Sequence, residues 1–312
     1  MNFSKKNRTV VIFGASGFLG RYIVNELLKN NWIIKVFVRN PNRAKHLTLM
    51  GKLGQVSIHQ CDILDAAKVE KSIASGSKVI NLVGILEEKN KQNFKNIHVK
   101  GAINIAKGCL KYKVDKLIHF SALGLFDGEH SKYAKSKLDA ENNIKKIFKK
   151  TIIFKPSVVF GPEDNFTNKF AKMASISLFL PLINSGKTKF QPVFVKDIAK
   201  AVAKVIKDDI HNGKIYNLGG PEIMSFKEIL DLILLKIRKK RIYLNLSFPI
   251  AKLLGLLFAL SPIKPITLDQ VRLLEKDNTL PKNGLGFKDL GINPSSMVSL
   301  SDNYLKRYIS KY

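Results

Sequence analysis

The stretch Val10-Val11-Ile12-Phe13-Gly14-Ala15-Ser16-Gly17-Phe18-Leu19-Gly20 decides the fold. Four apolar residues read as a buried strand, and three glycines at three-residue spacing follow at once. The apolar positions Phe18, Leu19, Tyr22, Ile23, Leu27 and Leu28 then recur at helical intervals. Strand, glycine turn and helix in this order give the glycine pattern a physical meaning. One glycine permits the tight turn, one lets backbone amides approach a pyrophosphate, and one lets the helix lie close on the strand. The helix N-terminus then offers free N–H groups and the positive end of its dipole to an anion. Gly14, Ser16, Gly17, Phe18, Leu19 and Gly20 are thus expected to cradle a dinucleotide.

The alternation continues outward from this start. Residues 33–38, 56–59, 78–84, 116–121 and 151–160 read as further strands, with helices over 94–111 and 133–149. The strands are near-continuous apolar runs, as when both faces of a parallel sheet are covered. Strands alternating with helices imply right-handed crossovers, so the fold expected is α/β: a doubly wound, parallel, Rossmann-like sheet. Past Gly161-Pro162 the regularity weakens. Short strands are expected over 190–195 and 214–218 with a helix over 197–207 between them. Helices are expected over 226–239 and 250–260, then loop from 279 and a last helix near 301–310. This divides the chain into a dinucleotide-binding core, 7–162, and a smaller C-terminal α/β cap, 163–312, packed on the core and sharing its later elements.

The chain has 312 residues, is 45% hydrophobic and carries a formal charge of +29. Such an excess invites an anionic partner, either nucleic acid or a membrane surface. The cations are scattered, however, lysine far outnumbers arginine, and no nucleic-acid recognition module stands out, a bias also expected of an A/T-rich genome. Nucleic acid is therefore not expected as a partner. Cys61 and Cys109 lie far apart without metal-ligand spacing, so neither a disulfide framework nor a metal site is expected. Residues 1–9 are too short and polar for a signal peptide. The apolar segment 248–262 is broken by Lys252, bounded by prolines and too short to span a bilayer. The expectation is a cytoplasmic protein, soluble or peripheral on the inner face of the membrane.

The residue ending the second strand of such a sheet meets the adenosine ribose, where a carboxylate suits a 2′-hydroxyl and an arginine a 2′-phosphate. Here it is Arg39, 19 residues after Gly20, with Arg43 close behind and no acidic residue from 33 to 52. NADP(H) is favoured over NAD(H), the alternative being that Arg39 is one more surface cation. Asp62 and Ile63 would flank the adenine, and Leu82, Val83 and Gly84, with Pro156 and Val159, would line the cofactor path. Tyr133 and Lys137 stand at i and i+4 and share one helix face. A nearby ammonium favours a phenolate, so such a tyrosine can pass a proton while hydride moves to or from a nicotinamide. Lys137 would also hold the nicotinamide ribose.

These residues resemble, in order and spacing, the short-chain dehydrogenase/reductases of the extended or atypical kind over about residues 7–220: Gly14/Gly17/Gly20, Asn81-Leu82-Val83-Gly84, Ser121, Tyr133/Lys137 and Lys155-Pro156-Ser157. Three longer strings, 119–124, 154–164 and 190–197, are similar to the NADPH-binding accessory subunit family of respiratory complex I and its bacterial relatives. A looser match covers 248–260 and Thr267-Leu268-Asp269-Gln270-Val271. The resemblance implies a structural nucleotide and a place in a respiratory or quinone-biosynthesis assembly. It also implies a relay of Ser121, Tyr133 and Lys137, in which Ala122 could instead occupy the serine position. If that relay turns over, the chain is an NADP(H)-dependent oxidoreductase or epimerase acting on a small hydroxyl or carbonyl substrate.

Other polar residues have quieter readings. Asn96 is either a water-relay residue or a satisfied polar group, while His119 and His98 read as core histidines. Asp197 is expected to cap the helix that follows it. Glu163 and Asp164 could face a substrate or a solvated loop. The run Lys236-Ile237-Arg238-Lys239-Lys240-Arg241 is a solvated helix end or, beside the apolar 248–260 segment, a contact for anionic lipid headgroups.

Overall fold

A computed structural model describes residues 8–74, 77–89, 92–125, 131–257 and 266–309. The first half runs β1 (Thr9–Phe13), α1 (Phe18–Lys29), β2 (Ile33–Val38), β3 (Val56–Gln60), α2 (Ala66–Ile73), β4 (Lys78–Asn81), a π-helical stretch (Lys95–Lys100) continuing into α3 (Gly101–Lys111), β5 (Lys116–Phe120), α4 (Lys132–Ile147) and β6 (Thr151–Pro156). The second half follows as β7 (Val159–Phe160), α5 (Thr167–Ile176), β8 (Phe179–Ile183), β9 (Lys189–Phe190), β10 (Val193–Phe194), α6 (Val195–Val205), β11 (Ile215–Leu218), β12 (Met224–Ser225), α7 (Phe226–Lys236), β13 (Ile242–Leu246), α8 (Phe248–Leu257) and α9 (Leu268–Leu273).

Seven strands form one parallel sheet in the order β11-β6-β5-β4-β1-β2-β3. This is a doubly wound, Rossmann-like sheet whose order reverses between β1 and β4. Period-two alternation divides the core. Val10 and Ile12 face α1 and α6, whereas Val11 and Phe13 face the layer of α2, α3 and α4. Lys116, fully buried in β5, donates to Val205 O and Asp208 O just past α6, where a cation suits a helix C-terminus. A further core gathers Phe160, Leu180, Leu182, Phe226, Leu230 and Ile233. There β8 and β13 pair in parallel, from Ile242↔Phe179 to Leu246↔Ile183.

The strand expected over 151–160 breaks at Ser157. Its N–H donates to Leu218 O, and the chain then leaves the main sheet so that β7 can pair with β10. Pro192 similarly divides 190–195 into β9 and β10. The helix expected from 197 begins at Val195, and Asp197 does not cap it. Its buried carboxylate instead accepts from Ser295 N (2.7 Å) and Lys200 Nζ (3.1 Å), tying the C-terminal segment to α6. The helix expected over 226–239 ends at Lys236, ahead of a left-handed Arg238. That expected over 250–260 starts at Phe248, and its last three residues lie outside the described set. Near the C-terminus the single expected helix is two short turns, Met297–Leu300 and Asp302–Leu305, and Ser310 is outside the described residues. Among the described residues no helix is long and apolar enough to cross a membrane.

Asp164 is a structural hub and not a substrate group. It is buried, and its carboxylate accepts from Gly161 N (3.0 Å), Phe166 N (2.7 Å), Thr167 N (2.5 Å) and Thr167 Oγ1 (2.6 Å). Asp164→Ala leaves these buried donors unpaired, and urea unfolding should register a loss of about 3 kcal/mol.

Candidate functional site

The loop after β1 and the end of β4 meet at the point where strand order reverses. Gly14 has a left-handed φ of +83°, and a Cβ there would lie 2.9 Å from Val83 Cγ2. At Gly20 a Cβ would fall 2.2 Å from Ala15 O, so only a bare α-carbon lets α1 lie on the loop that feeds it. Gly17 is the N-cap of α1, which has neither a side-chain cap nor an acidic residue in its first turn. An uncapped helix N-terminus over a crevice that side chains would fill fits a pyrophosphate. Ser16, Phe18 and Leu19 surround this opening, and Phe18 packs on Gly161, linking α1 to the turn after β7.

Other expected contacts sit at the carboxyl ends of neighbouring strands. Arg39 follows β2 and is exposed, with no ion pair to its guanidinium among the described residues. Asp62, also exposed, closes a turn by accepting from Leu64 N (3.0 Å), while Ile63 is buried against Gly101. Beside them a cavity of about 370 Å³ is lined by Leu64, Asn96, Lys100 and Asn104. Asn96 thus faces the Leu64 side of its helix. Leu82 and Val83 are half-buried, Pro156 ends β6, and Val159 pairs with Val193.

Tyr133 and Lys137 project from the first turns of α4. Lys137 is buried, its Nζ donates to Phe120 O (3.1 Å), and it lies 5.9 Å from the centre of the Tyr133 ring. Gly84 is the floor of this group, since a Cβ there would come within 3.2 Å of Lys137 Nζ and 3.7 Å of His98 Nε2. Burial pushes the Lys137 ammonium down to about 8, partly opposed by Glu141. Burial and the Asp269 carboxylate push the Tyr133 phenol up to about 12. Desolvation and Asp269 thus raise the Tyr133 phenol, where a neighbouring ammonium alone would lower it.

Ser121 is turned away from this pair. Its hydroxyl donates to Glu141 Oε1 (2.5 Å), and Glu141 Oε2 meets Lys155 Nζ at 2.8 Å. His98 and Ser136 lie beside the pair. His98 Nε2 accepts from Ile85 N (3.0 Å), so its proton sits on Nδ1 and goes to Ser136 Oγ (2.8 Å), which donates to Tyr133 O (2.7 Å). Burial and Lys137 push the imidazole down to about 2, keeping it neutral. His119 is likewise pushed down, to about 3; it accepts from Asn81 Nδ2 (3.1 Å), and its buried Nε2 has no partner among the described residues. Both histidines are core residues. Glu141 and Ser136 were not singled out from the sequence, where Lys155 figured only within the Lys155-Pro156-Ser157 string, and the i+4 placement of Glu141 after Lys137 was the one hint of the acid. Among the described residues no cluster could hold a metal ion, and Cys61 and Cys109 are buried and unpaired.

The buried ammonium has a thermodynamic signature. A folded value near 8 against the ordinary 10.5 means that the unfolded chain holds more protons between those limits. The cost of burying the charge is therefore fully present below pH 8 and relieved as pH rises towards 10.5. Lys137→Met should be more stable than the parent by about 3 kcal/mol at pH 7 in denaturant titrations, with the gap narrowing by pH 10.

The chain is similar to known proteins over nearly its whole length. It is 33% identical to the "NADH dehydrogenase [ubiquinone] 1 alpha subcomplex subunit 9, mitochondrial" of Arabidopsis thaliana, over 95% of this chain and 77% of that one. It is 30% identical to the "NADH-ubiquinone oxidoreductase 40 kDa subunit, mitochondrial" of Neurospora crassa, over 97% and 80%. Among solved structures, the NADPH-dependent quinone oxidoreductase QOR2 of Escherichia coli with NADPH superposes with a TM-score of 0.73 at 19% identity, over 95% and 99% of the two chains, a likeness of fold. Residues 10–219 match a family description that covers the glycine turn, Tyr133 and Lys137 alike. The chain belongs to the NAD dependent epimerase/dehydratase family, with the NAD(P)-binding fold of that family and a specific kinship to complex I alpha subcomplex subunit 9.

Proposed function

We propose that this protein is an NADP(H)-holding accessory subunit of a respiratory or quinone-linked assembly, peripheral on an anionic membrane surface. The observation that carries it is the likeness to the respiratory subunits, which runs through the cap as well as the nucleotide core. The site supports a resident nucleotide more than turnover. In this reading Gly14, Ser16, Gly17, Phe18, Leu19 and Gly20 hold the pyrophosphate and Arg39 meets the 2′-phosphate. Asp62 and Ile63 flank the adenine, and Leu82, Val83, Gly84, Pro156 and Val159 line the path to the nicotinamide. Tyr133 and Lys137 hold its ribose, while the Ser121 hydroxyl is already given to Glu141. The competing reading, an oxidoreductase or epimerase, draws on the titratable Lys137 beside Tyr133.

A docking face accompanies the site. The outer side of the β8–β13 pair leaves Phe179, Ile242 and Leu244 exposed, and α8 covers only its Ile183–Leu246 end through Ala251 and Phe248. On α8 itself Ile250, Leu253, Leu256 and Leu257 are each more than half exposed. Lys239, Lys240 and Arg241 lead into β13 beside Ile176 and Leu178, which are also exposed. Apolar side chains beside a cationic rim suit the headgroup boundary of an anionic bilayer.

Two measurements test these assignments. NADP⁺ should remain bound through gel filtration and exchange with labelled NADP⁺ over hours; exchange within seconds, with turnover lost in Tyr133→Phe, would establish the enzyme instead. Arg39→Asp should weaken NADPH at least tenfold and leave NADH nearly unchanged. For the docking face, Leu253→Asp with Leu256→Asp should abolish flotation with phosphatidylglycerol vesicles while nucleotide stays bound. Equal flotation of parent and variant would remove this face from the proposal.

A further inference from the structure

The cap reaches the nucleotide side of the molecule through one carboxylate. Asp269, on α9, accepts from Ser131 Oγ (2.9 Å) and Tyr133 N (3.1 Å) with Oδ2 and from Lys132 N (2.8 Å) with Oδ1. Ser131 Oγ in turn accepts from Ala134 N (3.1 Å). Three consecutive N–H groups at the start of α4 are thus satisfied by a hydroxyl and a carboxylate 138 residues further along the chain. Without them, these donors of the first turn would have no intrahelical partner. The negative charge also suits the positive end of the helix that bears Tyr133 and Lys137.

The other side of α9 is occupied by α8. A Cβ at Gly255 would lie 2.8 Å from Leu268 N, so α8 crosses the backbone directly beside Asp269. Lys252 on α8 also pairs with Glu275, just past α9, at 2.5 Å. Thr267 and Gln270 cap α9 reciprocally, which holds the turn carrying Asp269 in one geometry. A continuous chain of contacts thus runs from α8 through α9 to the backbone of Tyr133.

We infer that Asp269 is a positioning residue that links the nucleotide site to the apolar face of α8, so that nucleotide binding and the ordering of α8 and α9 favour one another. The inference rests on the reading that Tyr133 and Lys137 face a bound nucleotide. Linkage makes the effect reciprocal: whatever factor α8–α9 order adds to nucleotide affinity, the nucleotide returns as protection of α8–α9.

The test uses the full chain, NADPH titration, and hydrogen exchange over residues 248–257 and 266–275. In the parent, NADPH should slow exchange in both segments. Asp269→Asn keeps the shape and one acceptor oxygen; it should weaken NADPH about tenfold, within the range of known couplings, and abolish protection of α8 while protection of the Gly14–Gly20 loop persists. Ser131→Ala, which removes one bond of the three to Asp269, should fall between parent and Asp269→Asn on both readouts. A merely structural clamp would lower stability equally with and without NADPH and leave the ligand-dependent protection of α8 intact. That result, or NADPH affinity in Asp269→Asn within twofold of the parent, overturns the inference alone. A parent that binds no NADPH overturns the nucleotide reading beneath it as well.

Discussion

The α-carbon of Gly20 lies against the Ala15 carbonyl, and much of the molecule is arranged around that close approach. With α1 pressed onto its own feeding loop, the helix axis is fixed relative to β1 and its uncapped N-terminus faces the crevice between β1 and β4. Packing then propagates outward. In the same helix layer α6 packs beside α1, with Ile198 and Val202 in their shared core, and the end of α6 is closed by Lys116 rising from β5. A side chain at position 20 would displace α1, and with it the Phe18 contact that reaches the turn after β7. Backbone proximity at one residue therefore sets the relation between the nucleotide crevice and the start of the cap.

The polar interior follows a consistent rule: each charge taken from water is given a fixed partner. Glu141 holds Lys155 and Ser121, Asp164 collects donors from Gly161, Phe166 and Thr167, and Asp197 joins two distant segments. Near the site the pattern is one of neutrality. His98 has both nitrogens committed and stays uncharged beside Lys137, so the buried cation is not opposed by a second one. Such a cluster is pre-organised, with little freedom left to the Tyr133 backbone, whose N–H and C=O are both engaged.

What could be read from the sequence was local. The glycine spacing, the apolar strands and the Tyr133–Lys137 interval depend on residues within one turn or one strand, and the core sheet came out of them. The place of Arg39 just past β2 was legible from its distance to Gly20, but the direction of the Tyr133 phenol's shift was not, because it depends on burial and on Asp269. The failures are long-range. Nothing near Asp197 announces Ser295, nothing near Ser131 announces Asp269, and the two short strands β8 and β13 find each other across α6, α7 and the four strands β9 to β12. β13, Ile242-Tyr243-Leu244-Asn245-Leu246, does alternate, but its apolar residues Ile242 and Leu244 face outward, so the alternation alone does not tell which side is buried.

The pairing of β8 with β13 also bears on how the chain acquires its shape. Parallel strands distant in sequence earn no hydrogen bond until the loop between them has closed, and closure is opposed by chain entropy. Five residues per strand give little in return, and among the described residues the pair has no third strand to extend it. It must wait for α5 and α7 to form the floor on which Leu180, Leu182 and Tyr243 rest. The pairing of β8 with β13 is therefore expected to follow the formation of α5 and α7, so that a chain still folding would lack this exposed apolar surface.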